Sequence, residues 1–165
     1  MSDEPSGRDG SVPERGSPGV IAPPPLIYIA GLLAGFALQR RLPAPRMARK
    51  VTAPAGAVLL VVGVALAASF ITAFRHAKTP VDVRKAPTAL VTTGPYRLTR
   101  NPGYLALALV SAGIALLSGA LWPLLLLVPT VIVVDRGVIA REERYLERKF
   151  GGDYVEFTRR TRRWF

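Results

Sequence analysis

The sequence predicts an all-α integral membrane protein. It has about four transmembrane helices, a long polar loop before the third, and a carboxy-terminal amphipathic helix. Three observations carry this. Half of the 165 residues are hydrophobic, and they come in blocks. Val58 to Ile71 and Gly103 to Val134 contain no charged residue, and apolar runs of about 18 or more residues read as membrane spans. The net charge of +11 suits lipid headgroups and membrane topology. Aromatic residues are not interleaved with the basic ones as a nucleic-acid stacking surface needs, which argues against DNA or RNA as a partner.

Residues 1–22 are rich in Gly, Pro, Ser and acids such as Asp3, Glu4, Asp9 and Glu14. Such a segment cannot bury enough surface to offset its ordering entropy, and it predicts a disordered tail ahead of a single membrane domain over 23–165. It lacks the basic start and apolar core of a signal peptide. The first span is expected at about 24–38, opened by Pro23-Pro24-Pro25 and closed by Gln39-Arg40-Arg41. Prolines suit a first helical turn, where their missing N–H is not needed. A basic loop with Arg46, Arg49 and Lys50 leads to the second span, about 54–74. Its small residues, among them Gly56, Ala57, Gly63 and Ala67, let another helix approach closely.

Residues 75–102 form a polar loop carrying Pro80, Pro87, Pro95 and Pro102 with Val83, Leu90, Val91, Tyr96 and Leu98 between them. That mix predicts an ordered, irregular lid rather than a linker. As one helix, 103–134 would be about 48 Å long, too long for a hydrocarbon core of about 30 Å. Ser118-Gly119 and Trp122-Pro123 supply a break, giving two helices over about 103–118 and 121–140. The second continues as an amphipathic stretch to Phe150, where Gly151-Gly152 stops it, and a basic tail ends the chain. Four spans put the amino terminus, the 75–102 loop and the carboxy terminus on one side. Seventeen of the 22 Lys and Arg residues fall there, so that side is expected to be the cytoplasm and the membrane the inner one.

The absence of cysteine excludes disulfides, thiolate nucleophiles and cysteine-bound zinc. The single histidine, His76, makes no metal site alone, and no metal is expected. The chemistry concentrates at two polar ends. Gly94-Pro-Tyr-Arg-Leu-Thr-Arg-Asn-Pro-Gly-Tyr104 is dense in binding groups and stands at the mouth of the hairpin. On a helical wheel at about 100° per residue with Ile139 at zero, Leu146 and Phe150 fall near −20° and +20°. Glu142 falls at about −60°, Glu143 at about +40°, Asp135 at about −40° and Arg136 at about +60°. Arg141, Arg144 and Arg148 take the opposite face, where a solvated or headgroup role explains them. Carboxylates beside an apolar stripe at a membrane surface are costly unless paired or used. Tyr96, Asn101, Tyr104, Arg136 and Glu142 are therefore expected to converge on one pocket. It would take a small zwitterionic, nucleoside-bearing ligand. Interface anchoring is the alternative role for Tyr96 and Tyr104.

Leu90-Val-Thr-Thr-Gly94-Pro-Tyr-Arg-Leu-Thr-Arg-Asn101-Pro-Gly-Tyr104 resembles the signature of the isoprenylcysteine carboxyl methyltransferase family and its phospholipid methyltransferase relatives. Glu142-Glu143-x-x-Leu146-x-x-x-Phe150-Gly151-x-x-Tyr154 is similar to that family's second signature. The resemblance covers roughly residues 75 to 163 and implies a membrane methyltransferase using S-adenosylmethionine (SAM). It implies cofactor contacts at Thr88, Ala89, Leu90, Val91, Gly94, Tyr96, Asn101, Pro102, Gly103, Tyr104 and Glu142. It also implies an acceptor contact at Arg136. The prenyl-protein enzymes usually have histidine where this chain has Asn101.

A carboxylate acceptor needs no base. An amine or thiol acceptor must lose a proton, and Glu142, Glu143 or a tyrosine stands nearest. The acceptor, lipophilic or small, would enter laterally from the bilayer. The alternatives are an NADPH-dependent enzyme like the sterol reductases, which share the carboxy-terminal pattern, and a non-catalytic four-span protein.

Overall fold

A computed structural model describes residues 22–42, 44–80 and 87–164. The expected disordered tail, except Ala22, lies outside the described residues, as does Val83 of the expected lid. Among the described residues all regular secondary structure is helical, with no strand. The helices are α1 (Pro24–Arg41), α2 (Arg49–His76), α3 (Pro102–Ser118), α4 (Leu121–Val134), α5 (Ala140–Phe150) and α6 (Gly152–Arg160). A 3₁₀ turn covers Gly94–Arg97, and a π-helical turn, Asp135–Ile139, joins α4 to α5 without a break.

The helices are longer than the apolar blocks alone suggest. Arg40 and Arg41 belong to the last turn of α1, where cations meet the negative end of the helix dipole. Helix α2 begins at Arg49, ahead of Pro54. Ser118-Gly119 makes the hairpin turn, with Gly119 left-handed at φ 67°, a conformation that costs glycine nothing. Pro123 sits in the first turn of α4. Two features differ from expectation. The 121–140 span is not one regular helix, because the π turn interrupts it. The basic tail forms α6, and Thr161–Trp164 then folds back.

Helix α1 packs on α4 and α2 on α3. Both interfaces are made by small residues: Gly35 lies on the Pro123 backbone, and Gly56 and Gly113 face one another across α2 and α3. The large apolar side chains point outward instead. Leu33, Val58, Val61, Leu125 and Val128 are all exposed. Small inside and large outside reverses the pattern of a soluble domain and is the surface of a membrane protein. Two helices, Arg49–His76 and the continuous Leu121–Phe150, are long and apolar enough to cross a membrane. Helices α1 and α3 have 18 and 17 residues.

Far from the 94–104 run, Gln39 closes the hairpin. Helix α4 has no cap of its own, and the first N–H groups of a helix lack intrahelical partners. Gln39 Oε1 accepts the N–H groups of Leu121 at 3.1 Å and Trp122 at 3.2 Å. Gln39→Leu keeps the volume and removes this acceptor from two part-buried donors. It is expected to lower stability by about 1–3 kcal/mol, read as a lower unfolding midpoint in detergent. An unchanged midpoint would show that water replaces the amide there.

Candidate active site

The 94–104 run is shaped by its backbone. Gly94, at φ 62°, turns the chain into the 3₁₀ turn, and Pro95 starts it with a fixed φ. Pro102 opens α3 with Asn101 at its N-cap. This places Tyr96 and Tyr104 on the same cavity. Tyr96 packs its ring against Phe70 and Phe74 of α2 at 6.4 and 6.1 Å and against Phe157 of α6 at 6.3 Å. Tyr104 donates its hydroxyl to Glu142 Oε2 at 2.6 Å. Tyr28 of α1, almost fully buried, donates to the Tyr104 carbonyl oxygen at 3.3 Å. Helices α1, α3 and α5 thus meet at one tyrosine.

The cavity has a volume of about 420 Å³, in the range of small-molecule sites, roughly 300–1,000 Å³. One wall is apolar, built by Phe70, Ile71 and Phe74 of α2 and by Pro23, Pro24 and Pro25 at the start of α1. The polar end carries Arg100, Asn101, Tyr104, Glu142, Glu143 and Tyr154.

The two glutamates are in different states. Glu143 is fully paired. Its Oε1 meets Arg100 Nη1 at 3.1 Å and Arg163 Nε at 3.2 Å, and its Oε2 meets Arg163 Nη2. Arg163 also reaches Asp135 Oδ2 at 3.4 Å, and Trp164 donates its indole N–H to Asp135 Oδ1 at 3.0 Å. The hydrogen bonds to Glu143 raise the pKa of Arg163 above its ordinary value. Glu142 accepts the Tyr104 hydroxyl, and no cation pairs with it among the described residues. Burial raises the Tyr96 phenol well above its usual range, and the Glu142 charge adds to the rise. Burial, then the Glu143 charge, pushes Tyr154 up to about 12, against the opposing charge of Arg100. Both phenols stay protonated at neutral pH and act as donors and ring faces, not as bases.

Of the residues expected in the pocket, Ala89, Leu90, Val91, Tyr96, Asn101, Gly103, Tyr104, Glu142 and Glu143 line it. Thr88, Gly94, Pro102 and Arg136 are not in its lining. Thr88 is exposed and holds the loop, donating its N–H to Thr79 Oγ1 (2.9 Å) and its hydroxyl to the Lys78 carbonyl (3.2 Å). Gly94 and Pro102 shape the backbone. The Asn101 side chain donates to the Arg163 carbonyl at 3.1 Å.

The position of Arg136 is corrected: it is exposed, off the inward side. The cause is the π turn. One extra residue in the turn rotates everything before it by about 100°, taking Arg136 from about +60° to about 160°. The same rotation takes Asp135 to about +60°, beside Glu143, where it meets Arg163. The guanidinium groups at the carboxylates are Arg100 and Arg163. Arg100 stands inside the sequence motif. Arg163 stands in a run of four arginines whose only signal was three inward carboxylates in want of cations.

Residues 51–153 match the phospholipid methyltransferase family. The chain is also similar to an uncharacterized protein of Haemophilus influenzae (strain ATCC 51907 / DSM 11121 / KW20 / Rd), 47% identical over 34 residues. That match covers 21% of this chain and 54% of the relative, so the chain spans about half the length of the curated relative it matches. No solved structure matches. The family match covers well over half of the chain, including the 94–104 run and both glutamates: the chain belongs to the phospholipid methyltransferase family.

Proposed function

We propose that this protein is a membrane methyltransferase that takes SAM and methylates a lipophilic or small acceptor. The observation that carries the reading is the two-sided cavity. Its polar end presents Glu142 with no cationic partner among the described residues. The rest of its lining is mostly apolar and comes largely from helices with exposed large apolar side chains. The residues fit the cofactor. The Glu142 carboxylate suits an ammonium or ribose hydroxyls, Arg100 a carboxylate, and the faces of Tyr96 and Phe157 an adenine ring or a cation.

When bound, SAM supplies an activated methyl group on a sulfonium. The chain's own part is to align acceptor and methyl and to keep water out. Tyr96, Phe70 and Phe74 form the dry wall. The acceptor would reach the cavity between Pro23–Pro25 of α1 and Phe70–Phe74 of α2. Glu143 is committed to two guanidinium groups, so Glu142 is the better placed carboxylate to receive a proton from an amine or thiol. Arg136, exposed on the α4–α5 rod, would meet an acceptor headgroup outside the cavity rather than its reacting atom.

In this reading residues 23–165 are one domain, and α1 to α4 span the inner membrane four times. The 94–104 run and the carboxy terminus then face the cytoplasm, the side rich in Lys and Arg.

Equilibrium binding of radiolabelled SAM to the purified full chain in detergent tests the proposal. Saturable binding is expected at micromolar concentration, about −8 kcal/mol. No binding at millimolar ligand would sink it.

A further inference from the structure

The family match ends at residue 153, yet the site does not. The segment Thr161–Trp164 lies along the start of α3, bonded to residues that line the cavity's polar end. The Arg100 N–H donates to the Arg162 carbonyl at 2.9 Å. The Thr99 hydroxyl and the Asn101 amide both donate to the Arg163 carbonyl, at 2.9 and 3.1 Å. From that anchored backbone the Arg163 side chain reaches Glu143 on α5 and Asp135 in the π turn. The Trp164 ring packs on the buried cluster containing Tyr28 and Tyr104.

We propose that Arg163 is a positioning residue of the site. With Arg100, it holds the Glu143 carboxylate to one side, leaving Glu142 as the one carboxylate the cavity offers to a ligand cation. Two features argue for a specific role over a surface ion pair. Arg163 contacts both oxygens of one carboxylate and a second carboxylate besides, a geometry a point charge cannot copy. Its backbone is held by hydrogen bonds from Thr99 and Asn101, so the side chain starts from a fixed point beside Glu143. Without Arg163, Glu143 keeps only Arg100 and gains the freedom to turn toward Glu142. Two carboxylates would then compete for one ligand charge and one tyrosine hydroxyl.

The proposal rests on the SAM reading above. The test uses the full chain with Trp122→Phe, so that Trp164 is the only tryptophan and reports tail docking by its emission. Radiolabelled SAM binding is measured on the same samples. Arg163→Met is expected to weaken binding about tenfold and to shift Trp164 emission to the red. Arg163→Lys keeps the charge but not the bidentate geometry and is expected to weaken binding about three- to fivefold; it serves as the readout if the Met variant does not fold, and binding at the parent level would then overturn the proposal. In a Glu143→Gln background, Arg163→Met should cost less than about twofold more, because Arg163 acts through Glu143. A parent that binds while Arg163→Met binds equally well overturns this proposal alone. So does a full tenfold additional loss in the Gln background. A parent that binds no SAM, with Trp164 emission intact, overturns the cofactor reading and this proposal with it.

Discussion

Replacing Glu142 by alanine is expected to weaken SAM binding by roughly 100-fold and to abolish measurable methyl transfer. The carboxylate makes the 2.6 Å bond to Tyr104 and has no cationic partner among the described residues. A hydrogen bond to a charged group contributes about 1.5–3 kcal/mol, and stranding the Tyr104 hydroxyl in a buried position adds to the loss. A total of about 3 kcal/mol corresponds to the 100-fold figure. Three variants dissect it. Tyr104→Phe removes the hydroxyl but keeps the ring, and about tenfold is expected. Glu142→Ala with Tyr104→Phe should lose no more than Glu142→Ala alone, since both remove one contact. Glu142→Gln separates charge from shape. If the carboxylate holds an ammonium, Gln loses nearly as much as Ala; if it holds ribose hydroxyls, Gln retains most of the affinity. Binding of all three at the parent level would remove Glu142 from the site.

Why these residues were readable from the sequence, and others not, follows from the range of the forces involved. The membrane helices announce themselves because burial in lipid demands long uncharged runs, and Gly103 to Val134 is too long for one span. The pairing of Tyr104 with Glu142 was accessible because a hairpin must return its end to its start. The place of Arg136 was not. A π turn inserts one residue with no composition of its own, and Asp135-Arg136-Gly137 looks like any helix interior. The docked tail was hidden for a different reason. Its anchors are the carbonyls of Arg162 and Arg163, which every sequence has, and its arginines read only as a basic tail. In the sequence Gln39 reads as the polar end of a span, although its amide caps a helix 82 residues away. Local composition therefore located the site, and tertiary hydrogen bonds decided which of its charges are free.

Gly113→Ala is expected to be strongly damaging at the α2–α3 interface. Helices α2 and α3 touch backbone to backbone at this point. A methyl on Gly113 would lie 2.8 Å from the Leu60 nitrogen and 2.9 Å from the Gly56 carbonyl oxygen. A methyl on Gly56 would lie 2.8 Å from the Gly113 carbonyl oxygen and 2.8 Å from the Leu117 nitrogen. Backbone atoms in helices cannot step aside as a side chain can, so the two helices must separate. Overpacking of this kind costs about 1–3 kcal/mol, and in lipid close packing is a main source of helix association. The separation would propagate along α3 through Val110 and Ala106, which line the cavity, to Tyr104 two residues further. Gly113→Ala should thus lower the unfolding midpoint and weaken SAM binding together. Gly152→Ala, where an added methyl meets nothing within 4 Å, should change neither. The Gly56→Ala, Gly113→Ala pair adds a sharper condition. Once one methyl has forced the helices apart, the second finds room, so the double variant should lose clearly less than the sum of the two singles. Additive losses, or a Gly113→Ala protein as stable as the parent, would mean that α2 and α3 are not in backbone contact in the membrane.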